Sequence, residues 1–266
     1  MEGLILPIWL ILFGACVGSF TNVVVWRLPR RESVVHPGSH CPKCGHAVRW
    51  HDNVPVLSWL LLAGRCRDCN ASISWRYPLV ELISALLWLS TLLVSSGGGG
   101  GLEPSLQPWI GLPFIGLLLP LVLIDLDHMW LPESLCRWGV LLGLMMSVSG
   151  GVPLLADHLI GAALSLTALE AVSAIAERLM GQPALGLGDA KLAAFGGAWL
   201  GLDGIAIAMA IAVFSGAMVG SIGRLTGRLK PRQAFPFGPF IALGIWLVWL
   251  MGPAWWWNQW LSVLGV

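Results

Sequence analysis

Charged side chains are scarce in this sequence of 266 residues: they make up 11% of it, whereas soluble domains average about 25%. So few charges leave too little polar surface to solvate a globule of this size. Together with the 56% share of hydrophobic residues, this indicates a polytopic membrane protein. The formal net charge of +1 provides no basic field of the kind that nucleic-acid binding needs. No basic residue precedes the first apolar run, and this run is too long for a signal-peptide core, so we expect a retained transmembrane helix.

Apolar windows of about 20 residues, the length that crosses a bilayer as a helix, predict about eight spans. They cover residues 4–26, 78–95, 108–127, 134–150, 153–177, 186–201, 203–223 and 234–252. The predicted fold class is therefore an all-α polytopic membrane protein. We divide it into a first transmembrane helix over 1–26, a polar loop over 27–77 and a transmembrane core over 78–266.

The distribution of arginine and lysine predicts the orientation in the membrane. Basic residues concentrate in the connection after the first predicted span, and others follow the third, fifth and seventh spans. The connections near 96–107, 150–153 and 201–204 contain none. Because basic connections stay on the cytoplasmic side, we expect the 27–77 loop to be cytoplasmic and both termini to lie on the opposite side.

Four of the six cysteines form two Cys-x-x-Cys pairs in that loop, Cys41 with Cys44 and Cys66 with Cys69. Gly45 and the asparagine after Cys69 follow the pairs and tolerate a left-handed turn. Four thiolates complete the tetrahedral shell of structural zinc; two disulfides are the alternative, but a cytoplasmic loop is kept reduced. A closed shell leaves no position for substrate, so we expect Zn²⁺ to fold the loop rather than to catalyse.

Carboxylates at the ends of apolar runs are the candidates for catalysis, because an ionised carboxylate costs several kcal/mol inside a bilayer. Asp125 and Asp127 end the third predicted span, and Asp189 begins the sixth. The predicted topology places both ends at a similar depth, so two aspartates from different helices could share a proton, as in aspartic proteases. We prefer Asp125 to Asp127 because it lies deeper. Alternatively, Asp189 only caps a helix N-terminus.

Four further residues are candidates for supporting roles. Gly186 and Gly188 would let a peptide backbone approach Asp189 closely, because glycine has no Cβ. Lys191 would be a counter-charge or an interfacial residue that extends to the membrane surface. Glu81, inside the second predicted span and close to the loop, would be structural or would contact substrate or cofactor.

Several segments together resemble the type IV prepilin peptidases, also called leader peptidases. They are GSFTNVVVWRLPR, the two cysteine pairs, DNVPVLSWLLLAGRC, SISWRYPLVEL, LIDLDHMWLP, GLGDAK and FPFGPFIALG, spread over nearly the whole chain. Members of this family are aspartic proteases of the bacterial inner membrane. They remove the basic leader from type IV prepilins and type II secretion pseudopilins on the cytoplasmic side. The resemblance implies that Asp125 and Asp189 form the catalytic pair and that the four cysteines bind zinc.

The same resemblance implies a second activity. Members with a long cysteine loop also methylate the new N-terminal amine with S-adenosylmethionine, and the 27–77 loop is the candidate for this methyltransferase part. Two other classes of function stay open at this point. One is an ion-coupled transporter that uses the intramembrane carboxylates, and the other is a non-catalytic scaffold for pilus or secretion assembly.

Overall fold

A computed structural model describes residues 2–94, 98–99, 107–181, 186–230 and 235–264; most of the connection near 96–107, which has no lysine or arginine, lies outside these ranges. Within them the chain is helical, with two isolated β-bridges and no strand. The α-helices are α1 (Glu2–Arg27), α2 (Leu57–Leu61), α3 (Arg76–Ser90), α4 (Gln107–His128), α5 (Glu133–Ser147), α6 (Gly151–Met180), α7 (Leu187–Leu225), α8 (Gly238–Met251) and α9 (Pro253–Leu264). The chain divides into two compact units, Met1–Leu92 and Leu93–Val266.

The described helices include five stretches that are long and apolar enough to cross a membrane. They are Leu4–Arg30, Arg76–Leu93, Trp109–His128, Glu133–Leu179 and Leu187–Leu225. A sixth results if α8 and the first part of α9, which meet at an angle of 92°, count as one span. The chain is therefore an all-helical protein with five or six candidate membrane spans, where the sequence predicted about eight.

One of the five stretches contains the junction between α5 and α6. The two helices are separated by a 3-10 turn, Val148–Gly150. A Cβ added to Gly143 of α5 would lie 2.7 Å from the Ala198 carbonyl oxygen, and one added to Gly161 of α6 would lie 2.7 Å from the Gly201 carbonyl carbon. Both helices therefore contact the same turn of α7. In a straight helix these two glycines would be about 27 Å apart, so the chain turns back between them.

A second reversal divides α7 into two arms, residues 187–200 and 202–225. Gly201 between them has a φ of 72°, a left-handed conformation that favours glycine. A Cβ added to Gly196 would lie 2.7 Å from Ile205 Cδ1, although residues nine positions apart in a straight helix are separated by about 13.5 Å. The Leu202 N–H donates a hydrogen bond to Asp157 Oδ1 of α6 at 3.3 Å and begins the second arm.

Four buried aromatic rings form the interior of the second unit. Phe114 of α4 has its ring centroid 5.1 Å from that of Trp199 of α7 and 5.0 Å from that of Trp249 of α8. Phe195 packs beside Phe114 and Trp199 at 5.9 and 6.1 Å. Such pairs stabilise a core by about 0.5–1.5 kcal/mol each beyond the burial of their area. This cluster therefore fixes the relative positions of α4, α7 and α8, the three helices that supply the acidic site.

In the first unit, α1 packs against α3 through two glycines spaced four residues apart. A Cβ added to Gly14 would lie 2.8 Å from Ala85 Cα, and one added to Gly18 would lie 2.7 Å from Glu81 Cα. Small residues at this spacing let the backbones of membrane helices approach closely. The close approach brings Glu81 against α1.

Candidate functional site

The two aspartates selected from the sequence come together at helix ends in the second unit. Asp125 lies in the last turn of α4 and Asp189 in the first turn of α7, and their carboxyl groups are close enough for their charges to interact. Asp125 is 5% exposed and Asp189 is half-buried, whereas Asp127 is exposed. The difference in burial therefore favours Asp125 over Asp127 as the site residue. The sequence distinguished the two only by the deeper position of Asp125 in the predicted span.

Each of these two carboxylates accepts a hydrogen bond from a glycine N–H. Gly238 donates to Asp125 Oδ2 at 3.0 Å, and Gly186 donates to Asp189 Oδ2 at 3.2 Å. Gly238 is the first residue of α8, and Gly186 is the N-cap residue of α7. A helix N-terminus carries partial positive charge and unpaired N–H groups. Two helix N-termini thus offset the repulsion between the two carboxylates.

The supporting residues predicted from the sequence have identifiable contacts. A Cβ at Gly188 would lie 3.0 Å from Leu131 Cβ, so glycine here lets the start of α7 approach the segment that follows α4. The Asp189 carboxylate accepts the N–H of Gly186, the N-cap residue of α7. Asp189 therefore caps the helix and also lies within range of the Asp125 charge. Lys191 Nζ lies 3.1 Å from Glu133 Oε2 of α5, and this ion pair connects α7 to α5.

Gly238 belongs to the site although residue-by-residue reasoning did not select it. It lies in the segment FPFGPFIALG, and the proline after it is in the first turn of α8. Proline is common at that position because its missing N–H would be unpaired there anyway. A glycine followed by proline before an apolar run therefore signals a helix start with a free N–H, but it does not reveal which carboxylate that N–H meets.

The two cysteine pairs adopt the same local structure, offset by 25 residues. In each, the residue after the second cysteine has a left-handed backbone, with φ of 72° at Gly45 and 56° at Asn70, as predicted. The Gly45 N–H donates to the Cys41 carbonyl and the Asn70 N–H to the Cys66 carbonyl, both at 2.9 Å. An isolated antiparallel bridge closes each turn.

The four Sγ atoms of Cys41, Cys44, Cys66 and Cys69 lie within 4.8 Å of one another. The Sγ atoms of Cys41 and Cys69 are 3.8 Å apart, which equals the edge of about 3.8 Å of a tetrahedron with Zn–S bonds of about 2.3 Å. None of the six cysteines forms a disulfide. Hydrogen bonds from the backbone N–H groups of Cys44 and Lys43 lower the pKa of the Cys41 thiol to about 6, whereas burial and the neighbouring cysteines raise the pKa of the Cys44 thiol to about 12. The cluster fits one tetrahedral metal ion.

A cavity of about 410 Å³ lies in the first unit, beside the cysteine turns. Its wall includes residues of α1, of the loop and of the beginning of α3, among them Trp59, Tyr77 and Glu81. At its border, Arg67 forms a bidentate ion pair with Asp52, with distances of 2.7 and 2.6 Å. The pKa of Asp52 is lowered, chiefly by this hydrogen bonding to Arg67. Glu81, for which the sequence allowed a contact with substrate or cofactor, therefore faces a cavity of small-molecule size.

Comparison with protein families gives two matches along the chain. Residues 12–95, which include the four cysteines, match the Bacterial Peptidase A24 N-terminal domain. Residues 112–221, which include Asp125 and Asp189, match the Type IV leader peptidase family. The boundary between the two matches falls near the boundary between the two compact units at Leu92 and Leu93.

Curated proteins from several bacteria are similar over most of the chain. A Prepilin leader peptidase/N-methyltransferase of Myxococcus xanthus is 40% identical over 231 residues, or 86% of this chain and 67% of that protein. One of Aeromonas salmonicida is 36% identical over 269 residues, or 91% and 89%. The Type 4 prepilin-like proteins leader peptide-processing enzyme of Escherichia coli is 35% identical over 259 residues, or 90% and 91%. No solved structure matches.

Proposed function

The chain belongs to the type IV leader peptidase family, and we propose that Asp125 and Asp189 are the carboxylates with which it cleaves prepilins. It is an enzyme of prepilin processing and N-methylation, which favours catalysis over the transporter and scaffold alternatives. The observation that carries the assignment is the pairing of these two aspartates at helix ends, each with Oδ2 held by a glycine N–H.

This arrangement suits acid–base hydrolysis of a peptide bond. With Oδ2 of each aspartate held by a backbone N–H, Oδ1 of each is available to the reacting groups. The ionised aspartate takes a proton from water as the water oxygen attacks the scissile carbonyl carbon, and the protonated aspartate donates a hydrogen bond to the carbonyl oxygen. The C–N bond then breaks, and the leaving amine takes up a proton from the pair. One shared proton therefore serves both halves of the reaction.

Asparagine substitutions test this assignment. Asp125→Asn and Asp189→Asn keep the shape of the side chain but cannot take up or release the shared proton, so cleavage of a purified prepilin should fall by about 10³-fold or more. Asp127→Asn is the matched control, because it makes the same change two residues away on an exposed side chain and should leave the rate within about twofold. Near-normal cleavage by either Asp125→Asn or Asp189→Asn would show that the pair is not catalytic.

For the cofactors, we propose one structural Zn²⁺ on the four cysteines and S-adenosylmethionine as the methyl donor. The tetrahedral spacing of the Sγ atoms supports zinc, and the N-methyltransferase names of the relatives support a methyl donor. Zinc would join the two cysteine turns and thereby order the loop. S-adenosylmethionine would supply the methyl group for the amine that cleavage releases.

For the location, we propose the bacterial inner membrane, with eight spans and the active site facing the cytoplasm. The reversals at the α5–α6 junction and at Gly201 support this number, because each divides one long apolar stretch into two helices. The concentration of basic residues in the 27–77 loop supports the orientation. We assign 1–26 to the first span, 27–77 to the zinc loop with the possible methyltransferase part, and 78–266 to the protease core.

A further inference from the structure

Glu81 is a buried carboxylate in the wall of the cavity. It is 8% exposed, and the ion pairs in the described part of the chain do not include it. Its Oε2 accepts a hydrogen bond from the Val56 N–H at 2.7 Å, and the Ser19 side chain also hydrogen-bonds to the carboxylate. These neutral donors orient the carboxylate without neutralising it. Ionising a buried carboxylate is costly unless an opposite charge lies beside it.

The segment that holds Glu81 is strained. Val56 has φ 62° and ψ −53°, and the Leu57 N–H donates to the Pro55 carbonyl at 2.6 Å. This is a classic γ-turn, which is rare and strained, and here its central residue is β-branched. Strained backbone of this kind concentrates at sites that bind ligands or catalyse, where the surroundings impose it. The γ-turn aims the Val56 N–H at Glu81 and so fixes the carboxylate in the cavity wall.

From these observations we infer that the cavity around Glu81 binds the methyl donor, with the Glu81 carboxylate facing its cationic end. This inference rests on the proposed function, because it takes the methyl-transfer activity as given. A volume of about 410 Å³ lies within the range for small-molecule sites. Trp59 and Tyr77 also line the cavity, and aromatic faces attract cations. S-adenosylmethionine carries both an ammonium group and a permanent sulfonium charge.

The methyl acceptor is the other cation that could bind here, and separate KM values for donor and acceptor distinguish the two. The new N-terminal amine must be neutral to accept a methyl group. A carboxylate in contact with the acceptor would have to take up its proton before methyl transfer, and this proton would neutralise the carboxylate. The donor, in contrast, arrives as a cation and needs its charge until the methyl group leaves.

The test uses the full-length detergent-purified protein and S-adenosylmethionine. Glu81→Gln removes the charge but keeps a carbonyl oxygen that can accept the Val56 N–H, so the γ-turn should be retained. We expect at least a tenfold increase in the Kd for S-adenosylmethionine by calorimetry. The KM for S-adenosylmethionine, measured with an already cleaved peptide as acceptor, should increase equally. Leader cleavage and the KM for the acceptor peptide should not change.

Glu32→Gln is the matched control, because it makes the same change on an exposed residue of the same unit outside the cavity. It should bind S-adenosylmethionine like the unmodified protein. Unchanged donor binding in Glu81→Gln, in a protein that methylates normally, would overturn the inference and leave the proposed function intact. An increased KM for the acceptor alone would also overturn it. An unmodified protein that cleaves prepilin but neither binds nor uses S-adenosylmethionine would remove the proposed methylation itself.

Discussion

Replacing Gly238 with alanine should slow prepilin cleavage without preventing folding. A Cβ at this position would lie 2.7 Å from Asp125 Oδ2 and 3.1 Å from its Cγ, closer than nonbonded atoms normally approach. Either the carboxylate or the start of α8 must move by several tenths of an ångström. The hydrogen bond from the Gly238 N–H to Oδ2, now 3.0 Å long, would be lengthened or bent.

The size of the effect follows from the nature of this contact. A hydrogen bond to a charged group contributes about 1.5–3 kcal/mol, and each 1.36 kcal/mol in a barrier changes the rate tenfold. If the whole contact is lost in the transition state, kcat should fall by about 10- to 150-fold. This loss is smaller than that expected for Asp125→Asn, because the carboxylate is still present. The KM for prepilin should change little, since Gly238 contacts Asp125, for which we propose a role in the chemical step and not in substrate binding.

The assay is cleavage of purified prepilin with kcat and KM measured separately, together with thermal unfolding. Gly220→Ala is the matched control: it makes the same change in α7, where the new Cβ would make an ordinary contact of 3.5 Å with the Phe235 ring. Methylation of an already cleaved peptide reports whether the first unit remains intact. A Gly238→Ala protein that unfolds normally and cleaves at the original rate would refute the role assigned to the Gly238 N–H.

Two further predictions concern the metal and the hairpin in α7. Elemental analysis of the purified protein should find about one zinc per chain. Cys66→Ser should lower the zinc content and make the 27–77 loop sensitive to protease, whereas Cys16→Ser should do neither. A metal-free protein with an ordered loop would contradict the zinc assignment. Gly201→Ala should destabilise the protein by more than about 1 kcal/mol, because φ is 72° and the new methyl group would collide with the Asp157 carboxylate. Gly220→Ala is again the control in thermal unfolding, and equal stability of the two variants would argue against the strained turn.

Local sequence patterns determined the general character of this protein. Scarce charge and long apolar runs indicated membrane helices because the bilayer has no water to solvate polar groups. The spacing of Cys41, Cys44, Cys66 and Cys69 predicted a four-thiolate cluster, since metal coordination requires only two short turns brought together. Asp125 and Asp189 could be selected because carboxylates are costly at the ends of apolar runs, and the predicted topology placed those ends at one depth.

Only the tertiary structure decided which partners these residues contact. The hydrogen bond between Gly238 and Asp125 joins residues 113 positions apart, and no local pattern encodes which carboxylate meets which N–H. Lys191 pairs with Glu133, a partner that depends on the packing of α5 against α7. The number of spans depends on whether the chain continues or turns back at single glycines such as Gly201. Apolar windows measure length and hydrophobicity, whereas backbone direction and the contacts of buried polar groups are set by how the helices pack.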